Sequence, residues 1–290
     1  MKIPATKQVS RLRGALHVVT FAAVVLGAFI AVSALLRAFG VHFHGSGPEE
    51  YPVSIVGTFI LALIVLGATA LMSRLEHVSV LDYGLRDRSA VRRAVIGAAT
   101  GFLAIATLVL GLRGTGSLAL HVVAQPVSSA VLYAGIWAAG YGLVALAEEM
   151  LFRGYPLAAL SRVFGARGAA IVTSLVFGLL HLGNGGESRV AAINGVLLAL
   201  VFAASVYQTG SLWWAIGFHA AWNWGESWLF GAADSGILAA GRLLEATPQG
   251  NDWLSGGTAG PEGSAGMIVV IAMAALSLHG MKKRLQDITK

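Results

Sequence analysis

Ala147-Glu148-Glu149-Met150-Leu151-Phe152-Arg153-Gly154 closes an apolar run that begins near Val127. A charge at the centre of a membrane-spanning helix costs about 2.5–3.5 kcal/mol on insertion scales. Two adjacent glutamates at the edge of such a run therefore predict an interior-facing position, partners and a working role. Neighbours on an α-helix diverge by about 100°, whereas residues i and i+4 share a face. Glu149 and Arg153 are thus expected to pair, a structural tie that neutralises Glu149 and holds the helix end. Glu148 points elsewhere and stays available to act on something inside a bundle. The competing reading makes both glutamates surface charges at the cytoplasmic edge.

Composition supports the membrane setting. Of 290 residues, 56% are hydrophobic and 12% charged, against about 25% charged in ordinary soluble domains. Apolar runs read as membrane spans recur at about 14–36, 52–73, 94–112, 127–150, 168–182, 190–207, 211–230 and 265–281, the fifth of them short. The first exceeds the apolar core of a signal peptide, about 7–15 residues, and is read as a retained span. The fold class expected is all-α, a polytopic membrane bundle of about eight transmembrane helices. Residues 1–290 make one membrane-embedded domain with a motif-bearing core at about 127–230. The chain has no cysteine, which excludes disulfides, thiolate metal sites and cysteine nucleophiles. No internal repeat supports an inverted-repeat transporter.

Lys and Arg set the expected orientation. With the N-terminus inside, the inner segments hold 16 of them, Arg153 included, and the outer segments hold Arg37, Arg113, Arg189 and Arg242, which sums to the 20 present. Both termini are expected to be cytoplasmic. The basic excess then faces anionic lipid headgroups of the bilayer, and a nucleic-acid partner has no support. Ser73–Arg93 is a charged inner connection. Tyr155–Arg167 is an interfacial amphipathic helix or a loop. The stretch 231–264 is an extracytoplasmic loop, helical at Ala239–Ala246, with Pro248–Ser264 a loop.

Two later runs carry polar residues. His181 ends Phe177-Gly178-Leu179-Leu180-His181, and His219-Ala220-Ala221-Trp222-Asn223 places His219 and Asn223 on one face. Each alone reads as packing, or as a helix–helix hydrogen bond. Together with Glu148 they form a set that activates water against an amide bond. A glutamate helped by a histidine is a general base, and a histidine with an amide can donate to an oxyanion. Glu148, His181 and His219 could instead hold zinc with an open position. Glu226, on the face of His219, either tunes that histidine or, the preferred reading, sits in the outer interface. The tryptophans at 213, 214, 222, 224 and 228 read as packing or interfacial anchors. Gly97-Ala98-Ala99-Thr100-Gly101 is a small-xxx-small pattern that this composition produces often.

Glu148-Glu149-x-x-x-Arg153, Phe177-x-x-x-His181 and His219-x-x-x-Asn223, in that order, resemble the motifs of the CPBP intramembrane peptidases. This is the family of CAAX-prenyl proteases and bacteriocin-processing proteins, also called Abi. Tyr207-Gln208-Thr209-Gly210-Ser211-Leu212-Trp213 looks like the family's lead-in to the third motif. The resemblance implies an eight-helix endopeptidase in which Glu148 and His181 activate water while His219 and Asn223 form the oxyanion site. Glu149 and Arg153 support them. It implies a peptide or membrane-protein substrate and no obligatory cofactor, with zinc as the alternative. Gly256–Ser264 looks like a loop of bacterial members, which implies a bacterial plasma membrane and weakens the case for a prenylated substrate. A non-proteolytic immunity or scaffold protein keeping the fold is the competing function.

Depth raises a difficulty. At about 1.5 Å per residue, Glu148 lies about 30 Å along its span, His181 about 20 Å along the next, and His219 only about 12 Å into the seventh. Either the fourth helix continues past Arg153 or the cavity dips toward the cytoplasmic side.

Overall fold

The computed structural model describes residues 11–40, 51–234, 236 and 238–288. The long helices are α1 (Arg11–Ala38), α2 (Tyr51–Glu76), α3 (Ala90–Gly114), α4 (Val127–Glu149), α5 (Tyr155–His181), α6 (Arg189–Thr209), α7 (Trp213–Asn223) and α9 (Met267–Ile288). A short α8 (Asp252–Ser255) and two strands, β1 (Leu118–Val122) and β2 (Leu244–Pro248), complete the described elements used below. The chain is an all-α polytopic membrane bundle, with five continuous helical stretches long and apolar enough to cross a bilayer. One of these, Val127–His181, runs for 55 residues. It makes two passes, because Gly165 takes φ 72° and ψ 170° and turns the helix. Only glycine adopts that geometry without strain.

Packing closes a ring: α1 on α2 and α5, α2 on α4, α4 on α7, α7 on α3, α3 on α9, α9 on α6, and α6 on α5. The α3–α7 seam is the tightest. A side chain at Gly97 or Gly101 would run into the backbone of Trp214 or Phe218, and one at Gly217 into Ala94. The glycine pattern in α3 is therefore a structural seam of the kind small residues build between membrane helices. Trp214 and Trp222 are buried in the adjoining core.

The fourth helix does not stop at residue 150. A π turn, Met150–Gly154, joins α4 to α5, and Tyr155–Ser161 are buried. That segment is neither a loop nor an interfacial helix. Pro156 causes no break because it sits in the first turn of α5, where no N–H is required.

Ala239–Ala246 is likewise not helical. Gly241 has φ 64°, and the following residues form β2, antiparallel to β1 with Leu118 opposite Pro248 and Val122 opposite Leu244. Strand pairing overrides the local helical pattern. The two strands and the connections at 182–188 and 230–266 mark one end of the bundle. The opposite end carries Tyr83, the Gly165 bend and the α6–α7 turn. Among described residues, Arg37, Arg113, Arg189 and Arg242 follow the strand end. Arg13, Arg74, Arg86, Arg88, Arg92, Arg93, Arg162 and Arg167 follow the other. Lys2, Lys7 and Lys290 lie outside the described residues. Arg153 belongs to neither end, since it is fully buried.

Glu76 also departs from its expected place in a solvated connection. It extends α2 and accepts Arg162 Nη1 at 2.8 Å and Nη2 at 2.7 Å, with Tyr83 and Tyr155 hydroxyls each at 2.9 Å. His17 Nδ1 lies 3.2 Å away, so α1, α2 and α5 meet on one carboxylate whose side chain is 2% exposed. Breaking such a buried pair costs about 3–5 kcal/mol. Glu76→Ala is expected to lower the thermal unfolding midpoint markedly in detergent; a midpoint unchanged from wild type would count against this clamp.

Candidate active site

Glu148, His181, His219 and Asn223 line one cavity of about 300 Å³, together with Arg153. α4 packs on α2 and α7, α6 packs on α5 and α9, and the cavity lies in the space between. The four residues reach one cavity because the helices are not stacked end to end. α4 runs on through the π turn, so Glu148 stands well above the far end of its helix. α7 starts low in the bundle, with the Leu212 N–H bonded to the Gly84 carbonyl at 2.9 Å. A π turn beside functional side chains is a recurrent device.

The two glutamates diverge, but not into one bound and one idle. Arg153 Nη1 donates to Glu149 Oε1 at 3.1 Å, and both side chains are fully buried. The same oxygen also accepts His219 Nδ1 at 3.1 Å. Glu149 therefore bridges α7 to Arg153 and sets which ring nitrogen of His219 faces the cavity. That nitrogen, Nε2, stands 3.8 Å from Glu148 Oε2, beyond direct hydrogen-bond range. Glu148 Oε2 is buried without a hydrogen-bond partner, and its side chain is 23% exposed.

His181 Nδ1 lies 2.8 Å from the Phe177 carbonyl, one turn back on the same helix. A carbonyl only accepts, so Nδ1 carries a proton, and in the neutral ring Nε2 is the acceptor. The Phe177 ring packs tilted against the imidazole, with centroids 4.2 Å apart. Phe177 also lies under the Arg153 guanidinium at 4.6 Å, a cation–π contact that supports a charge far from water. Asn223, one turn beyond His219, lines the same cavity.

Acidic residues expected in the solvated loop or at the interface gather at the strand end of the cavity. Asp234 and Glu262 line it, with Glu187 nearby. Burial raises the Glu262 carboxyl to about 8, reinforced by the charges of Asp234 and Glu187. Burial raises Asp234 to about 6, with His219 pulling the other way. Glu226, in the π turn Trp224–Leu229 that follows α7, is fully buried beside them. Its spacing of seven from His219 was the one sequence signal for this group. Among the described residues, the three acidic or histidine groups whose donor atoms all come within 4.8 Å of one another are Glu226, Asp234 and Glu262, not Glu148, His181 and His219.

Residues 129–225 match the family model for Rce1-like type II CAAX prenyl endopeptidases. No curated protein matches the chain. The matched segment opens in the first turn of α4 and closes just past Asn223. It spans every helix that brings a motif residue to the cavity, and over this core the chain is similar to the CPBP intramembrane peptidases.

Proposed function

We propose that the protein hydrolyses a peptide bond at the membrane with a water activated by Glu148. The observation that carries this reading is the shared cavity of Glu148, His181, His219 and Asn223. Glu148, with His181 Nε2 as a second acceptor, takes a proton from water, and the resulting hydroxide attacks the scissile carbonyl carbon. The carbonyl oxygen, now negative, accepts hydrogen bonds from the Asn223 amide and from a protonated His219 Nε2. Glu149 holds His219 through Nδ1 for that task, and Arg153 holds Glu149. As the C–N bond breaks, the proton taken from water passes to the leaving amine.

A glutamate-type peptidase is preferred to a zinc enzyme, because the donor set of Glu148, His181 and His219 does not draw together as a three-ligand site would. The apolar walls, with Trp137, Phe177, Leu198 and Phe202, suit a lipid-embedded or lipid-modified peptide. A CAAX-type peptide is the first substrate class to try. The Arg-rich Tyr83 end is assigned to the cytoplasm of a bacterial plasma membrane.

The test compares membrane proteomes of cells carrying wild type or Glu148→Ala at equal protein levels. Fragments present only with wild type are expected; identical proteomes would overturn the reading and favour a scaffold. On a substrate so found, Asn223→Ala is expected to lower kcat about 10²–10³-fold, the usual loss for one oxyanion donor. A change confined to KM would remove Asn223 from that role.

A further inference from the structure

We propose that Glu226, Asp234 and Glu262 form a site for a hard divalent cation, best fitted by Ca²⁺, which pins both ends of the connection between α7 and α9 to the end of α7. Glu262 is distant in sequence from the other two, and the three sit on three different local structures. Glu226 projects from the π turn, Asp234 follows in the extended segment after it, and Glu262 sits in the short 3₁₀ turn Pro261–Gly263. One oxygen from each lies within 4.8 Å of the others. Calcium binds oxygen at about 2.3–2.6 Å, so ligands facing each other across one ion stand at most about 5.2 Å apart. The same limit for magnesium, at about 2.0–2.1 Å, is about 4.2 Å.

A second observation asks for a ligand. Glu226 is fully buried, and neither of its oxygens has a hydrogen-bond partner. Among the described residues no Lys or Arg pairs with any of the three carboxylates. A buried carboxylate in that state is costly unless a cation or a proton compensates it. The surroundings are already built. Trp222 Nε1 donates to Glu262 Oε1 at 2.9 Å and Ser227 Oγ to Asp234 Oδ2 at 3.3 Å, leaving the other oxygen of each for an ion. Asn194 on α6 holds the Glu262 and Ser264 carbonyls at 2.8 and 3.1 Å. Asp234 and Glu262 also wall the catalytic cavity, so the bound ion would fix its strand-end wall. This role is separate from water activation and stands or falls without it.

The experiment uses the full chain in detergent, stripped with a chelator and titrated with Ca²⁺. Calorimetry and thermal unfolding are the readouts. Saturable binding of a single ion per chain, with a rise in melting temperature, is expected. Glu226→Gln should abolish both, while Glu245→Gln, on the exposed Arg242 pair, should keep both. If Glu226→Gln does not fold, Asp234→Asn carries the same expectation. Wild type with no saturable Ca²⁺ binding would overturn the site in favour of shared protons, and so would undiminished binding in a folded Glu226→Gln or Asp234→Asn.

Discussion

Glu148→Gln is expected to reduce kcat/KM by about 10²–10⁴-fold, the range for loss of a general base, with little change in thermal stability. The contrast follows from what Glu148 touches. Its Oε2 is buried with no hydrogen-bond partner and stands 3.8 Å from His219 Nε2, too far to serve as a structural tie. The amide isostere keeps size and shape. What it loses is the capacity to take a proton. Glu149→Gln makes the natural control, because that change strikes Arg153 and His219 together and should lower stability as well as activity. A Glu148→Gln enzyme within tenfold of wild type would remove Glu148 as the base. A large fall in its melting temperature would make the residue structural instead.

The helical architecture was readable from local rules, and the four residues proposed for the site do line one cavity. Period and spacing separate Glu148 from Glu149, pair Glu149 with Arg153 and align His219 with Asn223. The limits appear where the deciding partner is distant in sequence. Glu149 takes His219 as its second partner, 70 residues away across the α4–α7 contact, so its role is more than a helix tie. Charges also misled the placement of helix ends. Arg153 and Glu76 looked like terminal, solvated residues because they are charged, yet each is buried against an opposite charge. Counting them as ends shortened two helices, and the early end given to the fourth produced the mismatch of depths. The acidic group was obscured by the same assumption, since Asp234 and Glu262 lie in a Gly-rich loop that composition assigns to water. Long-range folding of that loop, through β1–β2 pairing and the Asn194 contacts, is what brings them inside.

Arg153→Met is expected to destabilise the protein by about 3–5 kcal/mol, because it leaves the Glu149 carboxylate buried with one compensating partner fewer. Both side chains of this pair are fully buried, so solvent cannot screen the loss. The guanidinium also gives up its position over Phe177. Replacing both members tests whether charge imbalance is the cause. Removing a buried pair together is often neutral, so Glu149→Gln with Arg153→Met should recover much of the melting temperature. Activity should not return with it, because a glutamine no longer presents a carboxylate to His219 Nδ1. Recovery of both would make Glu149 a purely structural residue; recovery of neither would place the cost in lost packing around the arginine. Stability regained without catalysis is the result that separates the two duties of Glu149, neutralising Arg153 and orienting His219.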